Sequence, residues 1–154
     1  EPYINITTTK VRNLVTRLKE LGLELDSENV IISDKRHEEG GFEAARELLK
    51  RKNRPTAIVA TSDIIAAGVI KAAKSLGMTL PKDVSIVGID DIDIARMTEP
   101  QLTTVKQPVE KMAEKAVEIL IKRIEGKLSS NFQHHVFLPQ LIVRDSTKAI
   151  NNSI

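Results

Sequence analysis

Helical and strand-like stretches alternate along the first two thirds of the chain. Apolar residues recur at helical spacing over 9–21, 38–52 and 63–76, and nearly unbroken apolar runs occupy 3–6, 29–33, 57–61 and 84–89. Runs this apolar are typical of parallel strands covered on both faces. Strands joined by helices require right-handed crossovers, so we expect an α/β fold with a three-layer, doubly wound, mostly parallel sheet.

The pattern changes after residue 100. Residues 101–106 predict a short extended segment, and a long helix follows over 108–125, with proline at its first position and glycine beyond its end. More than half of the circumference of this helix is apolar, so it needs a surface to cover it. Two edge-like strands are expected at 136–138 and 140–143, separated by a proline.

Composition narrows the classes of function. The 154 residues, 41% of them hydrophobic, are enough to bury the core of one domain. The chain has no cysteine, which excludes disulfides. It also has no uncharged apolar run that approaches about 18 residues, which excludes a membrane span. The net charge is only +2, with both signs interspersed, so we expect no one-sided basic face for DNA or membranes. Aromatic residues make up 3%, too few for a platform that stacks single-stranded nucleic acid.

Polar residues follow the predicted strands at their carboxyl ends, where open parallel sheets bind ligands. Asp90 is the clearest candidate, because a carboxylate accepts about four hydrogen bonds and suits a polyhydroxylated ligand. The alternative is that Asp90 or Asp91 caps a short helix over 92–97. Ser62 and Asp63 open the helix after the third run, and either can cap that helix or face a ligand.

Other chemistry has little support in the sequence. Lys10, Arg12 and Arg36 could bind ligand oxygens, although isolated cations are usually solvated. His134 and His135 are adjacent, and in a strand they would point to opposite faces, so they cannot chelate a metal together. The sequence has no phosphate-binding glycine loop and no nucleophile motif. We therefore expect no metal, no cofactor and no enzymatic activity.

Several stretches, taken in order along the chain, resemble a known family. They are 54–58, Ser62-Asp63 with Ala66, Ala67 and Gly68, Gly77, 81–91, 100–105 with Gln107-Pro108, and 144–147. Together they resemble the effector-binding half of LacI/GalR transcriptional regulators, from about residue 29 to 147. The resemblance implies a periplasmic-binding-protein type I fold of two α/β subdomains, preceded by a helix-turn-helix region. It also implies a homodimer that binds a small molecule, often a sugar, in the cleft between the subdomains.

The resemblance also assigns site residues. Asp90 matches the family's ligand-binding aspartate, and Ser62 matches a polar ligand contact. The family's ligand-binding arginine falls on Lys10 in one register and on Arg12 in another. Arg36 lies near the position where many members stack an aromatic residue on the ligand, and an arginine there could grip an acidic or phosphorylated ligand.

By the same resemblance the chain divides into parts. Residues 1–101 and 134–147 correspond to the C-terminal effector-binding subdomain, and 148–154 to a flexible tail. Residues 102–133 correspond to the crossover and a helix of the partner subdomain, where Val109 and Met112 line the cleft. On this correspondence we expect the N-terminal DNA-binding domain and the first subdomain to be absent from the sequence. The long helix would then lack its own sheet, and we expect its apolar face to drive association, for instance by exchange of this helix.

These expectations combine into one interpretation: the effector-sensing domain of a cytoplasmic, ligand-responsive repressor. It would bind a sugar or sugar derivative and couple it to DNA binding by the absent N-terminal domain, with no membrane partner. The alternative is an extracytoplasmic sugar-binding protein of an ABC transporter, which a signal peptide upstream would favour. A GntR-type DNA-binding domain on the same sensor is equally compatible. An α/β enzyme has no nucleophile–base pair or cofactor loop in its favour.

Overall fold

The computed structural model describes residues 6–33, 35, 37–128 and 132–149. In chain order its elements are α1 (Ile6–Glu20), α2 (His37–Leu49), β1 (Ala57–Val59), α3 (Asp63–Ser75), β2 (Ser85–Asp90), α4 (Ile94–Met97), β3 (Thr103–Lys106), α5 (Val109–Ile124) and β4 (Gln140–Ile142). A single 3-10 turn, Ser27–Asn29, lies between α1 and α2. No helix in the described part of the chain is long and apolar enough to cross a bilayer.

The four strands form one sheet in the order β1-β2-β3-β4. The first three strands run parallel, and β4 pairs with β3 in the antiparallel sense. Helix α3 connects β1 to β2 and packs against β2, whereas β3 follows β2 through the short helix α4. The predicted α/β class with a mostly parallel sheet is confirmed.

The core lies between the α2–α3 pair and the sheet. Its fully buried members come from α3, from β2 with the residue before it, from α4, and from the residue before β3. They are Ala66, Ala72, Ala73, Val84, Ile86, Ala95 and Leu102. Burying a large aliphatic side chain stabilises the fold by about 1.5–3 kcal/mol relative to leaving it in water. This core therefore fixes β2 and β3, whose carboxyl ends carry the candidate ligand-binding residues.

Glycines allow α2 and α3 to approach closely. Gly41 faces the carbonyl of Ile65, Gly68 faces the carbonyl of Glu38, and a Cβ atom at either glycine would overlap that backbone. Gly40 lies beside Gly41 inside α2 and is also buried. The two adjacent glycines are therefore part of a helix that packs closely against its neighbour.

Two predicted strands are wrong for the described residues. Residues 30–33 join no strand ladder, and Ile32 is 80% exposed. The strand predicted at 3–6 lies outside the described residues except for its last residue, which begins α1. Residues 136–138 also stay outside the sheet, because Pro139 has no N–H to donate to a ladder. An apolar run becomes a strand only where a neighbouring strand supplies hydrogen-bond partners.

Two helix starts differ from or refine the sequence prediction. Ser62 is the cap of α3, since its hydroxyl oxygen accepts a hydrogen bond from the Ile65 amide at 3.3 Å. The sequence predicted Pro108 as the first helical residue of α5. In the structure Pro108 is the cap residue, and the helix begins one residue later, at Val109. Gly22 and Gly77 have φ of +74° and +73°, as expected for glycines that end helices.

The segment after β4 is tied into the sheet. The Ser146 hydroxyl donates to the Ile86 carbonyl at 2.6 Å and accepts from the Thr103 amide at 2.8 Å. The Lys148 amide reaches the Ser85 hydroxyl at 3.4 Å. The predicted flexible tail thus begins with a tethered residue, and its residues 150–154 lie outside the described residues.

Helix α5 presents its apolar face to solvent. None of its residues is buried, and the exposed large side chains are Val109, Met112, Val117, Leu120, Ile121 and Ile124. On the polar face, Glu118 pairs with Lys115 at 2.8 Å and with Lys122 at 2.6 Å. The range 102–133, assigned by sequence to the partner subdomain, also includes β3, which lies between β2 and β4 in this sheet.

Candidate ligand-binding site

Parallel pairing of β2 and β3 brings Asp90 and Gln107 together. Asp90 ends β2 and stands opposite Lys106, the last residue of β3, so Gln107 follows at the same edge of the sheet. The Gln107 Nε2 donates a hydrogen bond to Asp90 Oδ1 at 2.6 Å. The Asp90 side chain is 30% exposed, so its carboxylate also remains open to solvent.

A cation from α1 reaches the same edge. Lys10 Nζ donates to the carbonyl of Thr61, just beyond β1, at 3.0 Å and lies 3.9 Å from Asp90 Oδ1. Arg12 lies two residues further along α1, about 200° around the helix, and its side chain is exposed. Of the two registers that the sequence left open, Lys10 is therefore the one whose side chain reaches the strand ends.

Ser62 and Asp63 lie next to Thr61 and have separate roles. The Ser62 hydroxyl caps α3, which leaves its own hydrogen free to donate. Asp63 is fully buried, and its carboxylate accepts from the Thr104 hydroxyl and from the Ile92 amide at 3.0 Å. The sequence offered Asp63 as a cap or a ligand contact, whereas the structure shows it bonded to β3 and to the turn after β2.

The chain bends sharply after β2. Asp90 and Asp91 have φ of +124° and +57°, values that residues with side chains rarely adopt. The Asp91 carboxylate pairs with the Arg144 guanidinium, and more distantly, at 3.7 Å, with Arg96. The residue before α4 is Asp93, so the alternative in which Asp90 or Asp91 caps that helix is wrong.

The remaining predicted site residues are less closely placed. Arg36 lies outside the described residues. Val109 and Met112 are on the first turns of α5, soon after Gln107, and are 58% and 44% exposed. Their predicted role in lining a cleft stays a prediction.

Sequence reasoning missed Gln107 as a site residue. It applied the carboxyl-end rule to the apolar runs but not to the short segment 101–106, which forms the third parallel strand. Once β3 is placed beside β2, the residue that follows β3 has to lie next to Asp90. The same rule would thus have found Gln107 if the strand order had been known.

The cluster of Lys10, Thr61, Asp90 and Gln107 offers hydrogen-bond donors and acceptors of several kinds. Its described members include no nucleophile beside a base. Across residues 6–33, 35, 37–128 and 132–149, no group of three histidines or acidic residues is arranged to hold a metal ion. His134 and His135 are both exposed. The donors and acceptors of the cluster can hold a molecule that carries hydroxyl groups.

Comparisons with known proteins agree with this fold. The periplasmic binding protein-like domain family matches residues 10–147. The transcriptional regulator MalR of Streptomyces coelicolor is 46% identical over 109 residues, which cover 71% of this chain and 31% of that protein. Two solved structures share the fold at a TM-score of 0.80. One is the transcriptional regulator CelR in complex with cellobiose, 31% identical, covering 88% of this chain and 41% of that one. The other is a LacI family transcriptional regulator from Arthrobacter sp. FB24 in complex with lactose, 29% identical, covering 89% of this chain and 51% of that one.

The chain thus spans about half, or less, of the length of the proteins that it resembles. The family match includes Lys10, Asp90 and Gln107, and the relatives are LacI-type transcriptional regulators. The structural agreement extends over most of the chain at 29–31% identity. The chain therefore belongs to the periplasmic binding protein-like domain family, in the form carried by LacI/GalR regulators.

Proposed function

We propose that this chain is the ligand-sensing part of a LacI/GalR-type transcriptional repressor. It binds a small, hydroxyl-rich molecule, a sugar or sugar derivative, at the carboxyl ends of β1, β2 and β3. The observation that carries the proposal is the cluster at that edge. Asp90 Oδ1 there lies 2.6 Å from Gln107 Nε2 and 3.9 Å from Lys10 Nζ, and its side chain is still 30% exposed.

The chemistry of this cluster fits a neutral polyol. A sugar hydroxyl both donates and accepts hydrogen bonds. The Asp90 carboxylate keeps lone pairs beyond the one that Gln107 uses, and the Lys10 ammonium keeps hydrogens beyond the one given to Thr61. The opposite charges of Lys10 and Asp90 offset each other, so the cluster does not demand a charged ligand. Two of the similar solved structures carry cellobiose and lactose, which are molecules of this class.

In this proposal the chain is part of a longer cytoplasmic protein, whose domains bind ligand and DNA separately. Residues 1–101 and 134–147, together with β3, form the C-terminal effector-binding subdomain, and α5 belongs to a partner subdomain that covers its apolar face. An N-terminal domain outside this chain contacts DNA, and the protein acts as a homodimer. Ligand would favour one of two arrangements of the subdomains and so shift the population between DNA-competent and DNA-incompetent dimers.

Calorimetric titration with lactose and cellobiose tests the ligand site. Because the chain spans about half of each sugar-bound relative, the titration uses both the chain and the product of its complete reading frame. We expect the complete protein to bind at least one of these sugars and the Asp90→Ala variant to bind it at least roughly tenfold more weakly. That factor is the usual size of a lost hydrogen bond to a charged group.

Asp93→Ala is the matched control, since Asp93 is an exposed aspartate three residues away whose side chain makes no capping hydrogen bond. It should bind like the wild type. Equal affinity of the Asp90→Ala variant and the wild type would reject Asp90 as a ligand-binding residue. Absence of any binding by the complete protein would reject this ligand class.

A further inference from the structure

The exposed carboxylate of Asp90 depends on a strained corner. Asp90 and Asp91 are consecutive non-glycine residues at positive φ, +124° and +57°. Such conformations are costly and persist only where the surroundings fix them, commonly at functional sites. If this corner relaxed, the Asp90 side chain would leave Lys10 and Gln107. The structure must therefore contain groups that hold the corner.

The first such group is the buried carboxylate of Asp63. Its Oδ2 accepts a hydrogen bond from the Ile92 amide at 3.0 Å, two residues beyond Asp90, and its Oδ1 accepts from the Thr104 hydroxyl. Gly88 in β2 leaves the space for this carboxylate, since a Cβ there would overlap Asp63 Oδ1. The contacts join the start of α3, the turn after β2 and strand β3 at one point.

A structural role alone explains Asp63 poorly. Its side chain is 0% exposed, and it forms no ion pair with a cation of the described residues. Burial of an unpaired carboxylate is costly, and an apolar residue would fill the space more cheaply. What the carboxylate adds is an acceptor aimed at the backbone of the corner.

The second group is Arg144, which follows β4. Its guanidinium pairs with the Asp91 carboxylate and donates to the Leu102 carbonyl at 2.8 Å. The two side chains of the ion pair are only 11% and 3% exposed, so their geometry is restricted. Arg144 thus holds the second residue of the corner against the segment that leads into β3.

We infer that Asp63 and Arg144 are positioning residues for ligand binding, which hold the Asp90–Asp91 corner so that the Asp90 carboxylate faces Lys10 and Gln107. The inference rests on the proposed function, in which Asp90 binds the ligand. Neither Asp63 nor Arg144 needs to touch the ligand. Each acts through backbone or side-chain contacts to the residues after β2.

The side-chain amide of Gln107 reports the position of Asp90 without any ligand. Gln107 Nε2 donates to Asp90 Oδ1. In a two-dimensional ¹H–¹⁵N spectrum of the chain, we therefore expect the Nε2 hydrogens of Gln107 to have a shift that depends on this bond. Asp90→Ala removes that acceptor and gives the reference shift of the broken contact. We expect Asp63→Ala and Arg144→Met to move the Gln107 signal most of the way to this reference.

Two further variants separate positioning from general stability. Leu49→Ala removes a core side chain of α2, a helix that makes none of the hydrogen bonds holding the corner, and it should lower stability while leaving the Gln107 signal in place. Asp63→Asn keeps an oxygen that can accept from the Ile92 amide, and it should restore the wild-type signal. All spectra are recorded where urea unfolding shows each variant to be folded. The Asp63 and Arg144 variants are read independently, so failure of one to fold leaves the other decisive.

A Gln107 signal that stays at its wild-type position in Asp63→Ala and Arg144→Met would give these residues a purely structural role and overturn the inference. A signal that does not respond to Asp90→Ala would show that the Asp90–Gln107 contact is not formed, which would also overturn it.

Titration of the complete protein with lactose or cellobiose then separates the two proposals. We expect Asp63→Ala to bind the sugar roughly tenfold more weakly. The reason is that Asp90 would no longer be held where its carboxylate can form a hydrogen bond to the ligand. If the wild type binds neither sugar but the Gln107 signal behaves as expected, the ligand class is wrong and the positioning role stands.

Discussion

Gln107 Nε2 lies 2.6 Å from Asp90 Oδ1, and this hydrogen bond joins two residues 17 positions apart in sequence at the ends of two parallel strands. The donor is one residue beyond β3 and the acceptor is the last residue of β2. Since the Asp90 side chain is 30% exposed, water can replace either partner. The contact therefore orders the edge of the sheet more than it stabilises the fold.

A double-mutant cycle measures this contact directly. We expect Gln107→Ala and Asp90→Ala each to lower the free energy of unfolding by about 1 kcal/mol, and the double variant to cost no more than the larger single change. Urea unfolding of the four proteins gives the coupling energy. Gln101→Ala, at an exposed glutamine before β3, should change little. Additive effects of the two substitutions would contradict the contact.

The Asp91–Arg144 ion pair should contribute strongly to stability. Its side chains are 3% and 11% exposed, and removal of one member leaves the other charge poorly solvated. We expect Asp91→Ala to lower the free energy of unfolding by about 3 kcal/mol. Arg96 interacts with the same carboxylate at 3.7 Å but is 60% exposed, so Arg96→Ala should cost less than about 1 kcal/mol. Equal costs for Asp91→Ala and Arg96→Ala in thermal or urea unfolding would refute this ranking.

The contact between α2 and α3 depends on Gly68. A Cβ at this position would overlap the Glu38 carbonyl in α2, and a rigid backbone cannot yield as a flexible side chain can. Gly68→Ala should therefore destabilise the protein by about 2–3 kcal/mol, although alanine is the better helix former. Gly126→Ala is the comparison, since a Cβ at that position meets nothing within 4 Å. Its cost comes only from the backbone strain of an alanine at φ +71°. If calorimetry shows Gly68→Ala to be neutral, the helices are less closely packed than described.

The apolar face of α5 should make the chain associate. Leu120 and Val117 are 57% and 54% exposed on a helix without buried residues. Contiguous apolar surface of this kind is unusual on a monomer. Analytical ultracentrifugation at increasing concentration should show association of the wild-type chain and its loss in Leu120→Lys. Glu114→Gln makes the same change in charge on the same helix without replacing an apolar side chain, and it should associate like the wild type. A clean wild-type monomer at high concentration would exclude this behaviour.

The polar face of α5 predicts a dependence on pH. Hydrogen bonds from Lys115 and Lys122 lower the pKa of Glu118 from 4.5 to about 2. Between these two pH values the carboxylate stays ionised in the folded chain but binds a proton in the unfolded chain. The contribution of Glu118 to stability is therefore present above pH 4.5 and is lost as pH falls toward about 2. Because these groups are exposed, the effect is small and weakens with salt.

Thermal unfolding of the wild type and of Glu118→Gln between pH 5 and roughly 2.5 tests this. The difference in melting temperature should shrink as the pH falls. Glu114→Gln on the same helix controls for the general loss of one acidic group. A difference that is constant over this range would contradict the ion-pair explanation.

Much of this protein was determined by its sequence alone. The apolar runs 57–61 and 84–89 and the helix between them follow from local periodicity, and each formed close to its predicted bounds. Asp90 was identified as the leading site candidate because it ends a buried strand. Such features depend on neighbouring residues in the chain, and a sequence displays those directly.

The tertiary structure decided what depends on distant neighbours. Whether the run 30–33 forms a strand depends on a partner strand, and no described residue supplies one. Asp63 is a buried acceptor because two donors distant in sequence lie beside it. They are the Thr104 hydroxyl of β3, 41 residues further along the chain, and the Ile92 amide of the turn after β2, 29 residues further. The choice between Lys10 and Arg12, and the presence of Gln107 beside Asp90, likewise required the strand order and the position of α1. Local patterns set the elements, whereas the groups that surround a functional side chain are set by how those elements pack.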